Sequence, residues 1–182
     1  MTGGELDLET LARARAGDPR AFRALYEHHA DAVYAFLRRM LPHAAAAEDA
    51  LQDAFLRVLR ALPGFDPRGP ARLSTWIFTI ARRVALTALE RRAPEVAPPP
   101  VTAPEPELRL ALEAAVAALP EVLRSTFVLR QGCEFSYEEV AAVEGIDVGT
   151  VKSRLHRARA ALQAALAEPA NERSGHGNRA TH

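Results

Sequence analysis

The chain reads as all-α: two small helical domains joined by a Pro-rich linker, the second containing a helix-turn-helix. Three observations predict this. Ala and Leu dominate a 182-residue sequence that is 48% hydrophobic, and β-branched runs are few, which favours helices over strands. Helix start and stop signals recur along the chain, each bracketing an apolar pattern of period near 3.6. One run, Ala93 to Glu107 (APEVAPPPVTAPEPE), carries too much Pro and too little apolar surface to join a core. It stays extended and semi-rigid and divides the chain. The expected layout is a first domain over 6–92, a linker over 93–107, a second domain over 108–167 and a disordered tail over 168–182, which is short of apolar residues.

In the first domain, Leu6 to Ala16 forms a helix closed by Gly17. Asp18-Pro19 restarts the chain, Asp as N-cap and Pro at the first helical position. The helix from Pro19 carries Phe22, Leu25, Tyr26, Val33, Phe36, Leu37 and Met40, and stops at Leu41-Pro42. Ala44 to Leu62 is the next helix, ended by Pro63-Gly64. At about 100° per residue, Leu51, Phe55, Val58 and Leu62 share one face. Asp49, Asp53 and Arg60 lie opposite, with Gln52 and Arg57 on the flanks. Leu56 falls on that polar side. It is either an ordinary exposed Leu or an apolar anchor for a protein partner, ringed by polar groups.

Phe65 to Leu73 (FDPRGPARL) is a Pro- and Gly-rich loop. Ser74 is expected to cap a helix running to about Arg92, with Ile77, Ile80, Ala81, Val84 and Ala88 on its wide apolar side. A narrower stripe holds Thr79, Arg83, Leu86, Thr87 and Glu90, bordered by Trp76 and Arg82. Trp76 is either a core anchor or, with Arg nearby, a stacking surface for an unpaired base.

In the second domain, Leu108 to Leu119 is helical, with Leu108, Leu112, Val116 and Leu119 aligned. Pro120 restarts a helix through Arg130 that buries Val122, Phe127 and Leu123, and Gly132 ends it. Ser136-Tyr-Glu-Glu139 is a capping box. After Gly145, Asp147 caps the helix of DVGTVKSRLHRARAALQAAL, where its charge also suits the dipole. Val151, Leu155 and Leu162 set that helix's buried side. Gly149, Ser153, His156 and Arg157 then point away, with Thr150, Lys152 and Arg154 on the shoulders. A basic run is usually a solvated face. Here a capped helix and a Gly turn precede it, the arrangement of a helix-turn-helix. Thr150 and Lys152 suit phosphates, Ser153 and Arg157 suit base edges, and Gly149 lets a backbone approach.

Net charge is zero, which by itself argues against a nucleic-acid partner. Base nevertheless gathers at Arg82, Arg83, Arg91, Arg92 and Lys152 to Arg159, and a local basic face attracts phosphate whatever the sum. One Cys, Cys133, excludes an internal disulfide or a Cys-based metal cluster. The adjacent His28 and His29 cannot share a helix face. No HExxH, P-loop, GxGxxG or GxSxG occurs. No enzyme, metal or cofactor is expected. The absence of a long apolar run or a signal pattern points to the cytoplasm.

Four stretches together resemble the sigma-70 family of RNA polymerase sigma factors, specifically its extracytoplasmic-function (ECF) group: GDPRAFRALYEHH, AEDALQDAFLRVLRAL, LSTWIFTIARRVALTALERR, and the block from Leu119 through GTVKSRLHRARAAL. The resemblance spans about Leu8 to Leu166. It implies a factor that binds core RNA polymerase and directs it to promoters, reading −35 duplex and melted −10 DNA, and that an anti-sigma protein holds inactive. Asp49, Gln52, Asp53, Leu56, Arg57 and Arg60 would face the polymerase. Phe65, Arg68, Arg72, Ser74, Thr75, Trp76, Thr79, Arg82 and Arg83 would contact the −10 strand. Gly149, Thr150, Lys152, Ser153, Arg154, His156 and Arg157 would read −35 duplex. Two departures stand out. The −10 helix reads IARRVALT where the family commonly has IARN followed by an Asp, and GCEF replaces the usual EGL before Ser136.

Overall fold

The computed structural model describes residues 6–91 and 107–172. Residues 93–106 of the expected linker (93–107) and 173–182 of the expected tail fall outside them, as do the side chains of 107–109 and 168–172. Eight α-helices make up the described fold: α1 (Leu8–Arg15), α2 (Pro19–Met40), α3 (Ala44–Ala61), α4 (Leu73–Glu90), α5 (Glu107–Ala118), α6 (Glu121–Phe127), α7 (Tyr137–Glu144) and α8 (Val148–Glu172).

Local capping chemistry sets most of these starts. The Asp7 carboxylate accepts from the Thr10 N–H at 2.8 Å, and Asp18 accepts from those of Arg20 and Ala21. At α3 the His43 Nδ1 accepts from the Ala46 N–H at 3.1 Å. Each such bond satisfies a backbone donor that the first helical turn leaves unpaired. α4 departs from the sequence expectation. Its cap is Arg72, without a side-chain bond, and Ser74 lies inside the first turn. The helix begins early because Leu73 and Thr75, both 3% exposed, face the core.

α2 is the spine of the first half. Its Leu25, Val33, Phe36, Leu37 and Met40 are fully buried. They pack with Val58 and Leu62 from the α3 region and Ile77 and Ala81 of α4. Small residues at Ala47, Ala50 and Ala54 let α3 and α4 approach closely. Burying a Leu- or Phe-sized side chain contributes roughly 1.5–3 kcal/mol, so this apolar stripe outweighs any single cap.

In the second half Leu119, Leu123, Leu129, Val140, Val143, Val151, Leu155 and Leu162 form the corresponding core. One expected burial is corrected here: Val122 is 44% exposed. α6 is turned so that Leu123, Ser125 and Thr126 face inward, which puts Val122 outside. α6 also does not run on as an α-helix to Arg130. It passes into a π-helical turn over Val128–Gly132, with Phe127 half-buried. At the other end, α8 continues past Glu168 to Glu172, beyond the expected start of the tail, because the Ala-rich run ahead of it favours helix.

The departure at GCEF has a backbone consequence. Glu134 has φ 59°, in the left-handed region that costs an ordinary residue roughly 1 kcal/mol. The usual EGL motif places Gly there. Phe135, in place of Leu, puts its ring edge-on to Phe78 of α4 at 4.8 Å, and Phe78 in turn meets Phe36 of α2 at 5.6 Å. One row of aromatic rings therefore crosses from the second half into the first.

Candidate nucleic-acid and polymerase interfaces

The helix-turn-helix is built as its sequence dictates. The Ser136 hydroxyl accepts from the Glu139 N–H at 3.1 Å, and the Glu139 carboxylate accepts from the Ser136 N–H at 2.8 Å. Gly145 closes α7 at φ 69°, a conformation that favours Gly. Asp147 accepts from the Thr150 N–H at 2.8 Å and its hydroxyl at 2.6 Å. These bonds hold the Asp147 carboxyl below its ordinary range.

On α8, Gly149, Lys152, Ser153, His156 and Arg157 are exposed. They form one face opposite the buried Val151, Leu155 and Ala158. The Ser153 hydroxyl donates to the Thr150 carbonyl at 2.9 Å, which leaves its oxygen able to accept. The Lys152 ammonium lies 5.9 Å from the Tyr137 ring centre, and the Arg130 guanidinium 5.3 Å from it. Both cations thus lie near one aromatic side chain beside α8.

Arg154 does not share this face. It turns inward and donates to Glu144 at 3.0 Å, with its side chain 18% exposed. Thr150 is half-buried and its hydroxyl serves the cap. For these two residues the expected DNA-facing geometry is corrected. An inward carboxylate captures one, and the helix start captures the other.

The α4 region is more mixed. Arg68, Arg72 and Arg83 are exposed, while Ser74, Trp76, Thr79 and Arg82 are partly covered. Phe65 is 6% exposed and lies against the Trp76 ring at 5.0 Å. Trp76 thus packs on its apolar neighbour and keeps part of its surface open. Two −10 assignments need correction on geometry: Thr75 points into the core, and Phe65 sits beneath Trp76. Arg82 is held by the second half in this closed arrangement. The Arg82 Nε donates to the Ser125 hydroxyl at 2.9 Å and to Glu144 at 3.2 Å. The loop before α4 is itself ordered. Asp66 accepts from the Arg68 N–H at 2.9 Å through its side chain and from the Gly69 N–H at 3.1 Å through its carbonyl.

On α3, Asp49, Gln52, Leu56, Arg57 and Arg60 are exposed and Asp53 is half-buried. The Arg57 guanidinium makes a two-bond contact with the Asp53 carboxylate, at 2.9 and 3.1 Å. Leu56 is 51% exposed, and Leu59, one turn on, is 43% exposed. Sequence reasoning passed over Leu59. Its i+3 spacing from Leu56 was the available signal. It also missed Glu144, whose partners are distant in sequence.

No helix among the described residues is long and apolar enough to cross a membrane, and no cluster among them is arranged to hold a metal ion. Burial pushes the Cys133 thiol up to about 12, which disfavours its thiolate in the closed arrangement.

Comparison with known proteins agrees with this architecture. Sigma-70 region 2 matches residues 25–95, and Sigma-70, region 4 matches residues 109–162. The chain is 35% identical to the RNA polymerase sigma-H factor of Pseudomonas aeruginosa over 191 residues, covering 91% of this chain and 96% of that protein. It is 33% identical to the ECF RNA polymerase sigma-E factor of Escherichia coli K12, covering 86% and 92% respectively. Among solved structures it is similar to the sigma factor RpoE of Bartonella quintana, seen with the anti-sigma factor NepR. That match has a TM-score of 0.67 and 27% identity, over 80% of this chain and 96% of that one. With two family regions in order and relatives matched along nearly their whole length, the chain belongs to the ECF group of the sigma-70 family of RNA polymerase sigma factors.

Proposed function

We propose a division of labour among the surfaces of this sigma factor, which binds core RNA polymerase and directs promoter-specific initiation. The α3 face of Asp49, Gln52, Asp53, Leu56, Arg57 and Arg60, widened by Leu59, docks on the polymerase. The exposed Arg68, Arg72 and Arg83, with the partly covered Ser74, Trp76 and Thr79, take the melted −10 strand, where aromatic and Arg surfaces compensate lost stacking. Lys152, Ser153, His156 and Arg157 on α8 read −35 duplex, Lys152 through phosphate and Arg157 through base edges. The two domains extend over 6–92 and 108–167, with the intervening linker joining two weak DNA contacts into one stronger one. The protein works in the cytoplasm as a non-catalytic initiation factor, and an anti-sigma protein is its natural antagonist.

The observation that carries this reading is the pair of exposed Leu residues on α3 set among charges, in the same chain as a helix-turn-helix. A regulator that binds DNA alone has no use for such an anchor. The test is run-off transcription with purified core polymerase and a promoter library. Specific initiation that Leu56→Asp removes, in a protein that stays folded, supports the division. Duplex binding with no specific initiation would sink it.

A further inference from the structure

Glu144 ends α7, yet its side chain is 0% exposed. Four groups converge on it. The Ser125 hydroxyl donates to one oxygen at 2.6 Å and the Thr126 hydroxyl to the other at 2.7 Å. Arg154 of the recognition helix donates to it at 3.0 Å, and Arg82 of the −10 helix at 3.2 Å. Three of these donors belong to the second half of the chain. The fourth, Arg82, comes from the first half.

Other contacts close the same seam. The Arg124 guanidinium donates to the Met40 carbonyl at 3.0 Å and also to carbonyls at Ala117 and Leu119. Arg72 pairs with Glu139 at 3.3 Å, and Phe135 meets Phe78. α4 therefore lies directly on α7. Elements named for positions −35 and −10 are separated by about 25 base pairs, roughly 80 Å of duplex at 3.4 Å per pair. Helices in ring contact cannot sit on both at once. Arg82 is also withdrawn from any strand while Glu144 holds it.

We propose that Glu144 is an internal latch: by gripping Arg82 and Arg154 together it holds the two DNA-reading halves closed, and promoter engagement requires the Arg82–Glu144 contact to break. On opening, Arg82 is freed for the −10 strand, while Glu144 keeps Arg154, Ser125 and Thr126 and so remains satisfied. This asymmetry makes the contact a releasable one. A buried carboxylate with a single partner would be left unpaired by the same motion, at a cost that would lock it shut. The latch rests on the assignment of α4 to the −10 strand for its consequence, but its existence is tested without DNA or polymerase.

Cys133 is the chain's only thiol. It lies on the seam next to Arg39 of α2, half-buried, and so serves as an unmodified reporter of opening. In the full-length protein, Glu144→Gln removes the charge and keeps the shape. Thiol labelling of Cys133 should accelerate about tenfold, the factor expected for losing a charge-assisted hydrogen bond, and the radius of gyration from X-ray scattering should rise. Arg82→Gln, which leaves Glu144 bound to Arg154, should do the same and decides the matter alone if the first variant does not fold. Unchanged labelling and scattering in a folded variant would overturn the latch. So would faster labelling that only follows global unfolding in urea. Failure of run-off transcription by the wild-type chain would instead count against the polymerase reading and leave the latch standing.

Discussion

The two proposed nucleic-acid faces of this molecule stand in different states of readiness. On α8, Lys152, Ser153, His156 and Arg157 project from a helix fixed by Asp147 and Gly145, and nothing in the described structure covers them. On α4, Arg83 is open, but Arg82, one residue away, is engaged by Ser125 and Glu144 of the other half. A duplex-reading surface needs only to be presented. A surface for an unpaired strand has no ligand until DNA opens, and here it is partly occupied in the meantime. The difference follows from register. α8 packs one clean apolar stripe and leaves a polar face, whereas α4 has neighbours on two sides.

The comparison breaks most visibly at the carboxylate that joins both faces. Glu144→Ala leaves Arg82 and Arg154 without their shared partner in partly buried positions. It should cost about 3 kcal/mol of stability, read by urea unfolding, more than the loss of any exposed ion pair here. A second large effect separates the halves by pH. Burial drives His29 on α2 down to about 4 from 6.5, with His28 adding to the shift. Above pH 6.5 the imidazole is neutral in both folded and unfolded chains. As pH falls from 6.5 towards 4, only the unfolded chain takes up the proton, so stability declines, by at most about 3 kcal/mol. His29→Leu should flatten that part of a stability–pH curve.

On the open face, Arg157→Ala should weaken −35 duplex binding by about 1–3 kcal/mol and relax sequence preference. Competition binding against altered sites measures both. Lys152→Ala should instead lower binding evenly across sequences and reduce the salt dependence by about one counterion. Similar loss of sequence preference in both variants would contradict the separation of base and phosphate roles. The smallest expected change has the opposite sign. Glu134→Gly should raise thermal stability by roughly 1 kcal/mol, because Gly relieves the left-handed backbone at φ 59°.

What the sequence revealed divides along the range of the interactions. Asp18-Pro19, the Ser136–Glu139 box, Gly145 and Asp147 act within a turn of their own helices, and they were legible without any fold. The buried stripes of α2 and α8 follow from spacing alone. Val122 escaped, because the phase of α6 is set by Ser125 and Thr126 turning toward a carboxylate some 18 residues away. Ser74 lost its capping role to the burial of Leu73. Arg82 and Arg154 look like free cations in a basic run, and only a contact 62 residues distant in sequence reveals Arg82 as engaged. The candidate polymerase face was visible because an apolar residue among charges breaks a local pattern. The inward turn of two Arg residues breaks none.

The loop ahead of α4 carries a different lesson. Asp66 folds it on itself through bonds to the Arg68 and Gly69 amides, and a Cβ at Gly69 would come within 3.1 Å of the Asp66 carbonyl. Ordering a free residue costs roughly 1–2 kcal/mol, and this loop has met that cost before any nucleotide arrives. If this loop meets the −10 strand as proposed, an unpaired base would encounter a preorganised surface, and binding would not have to order the loop.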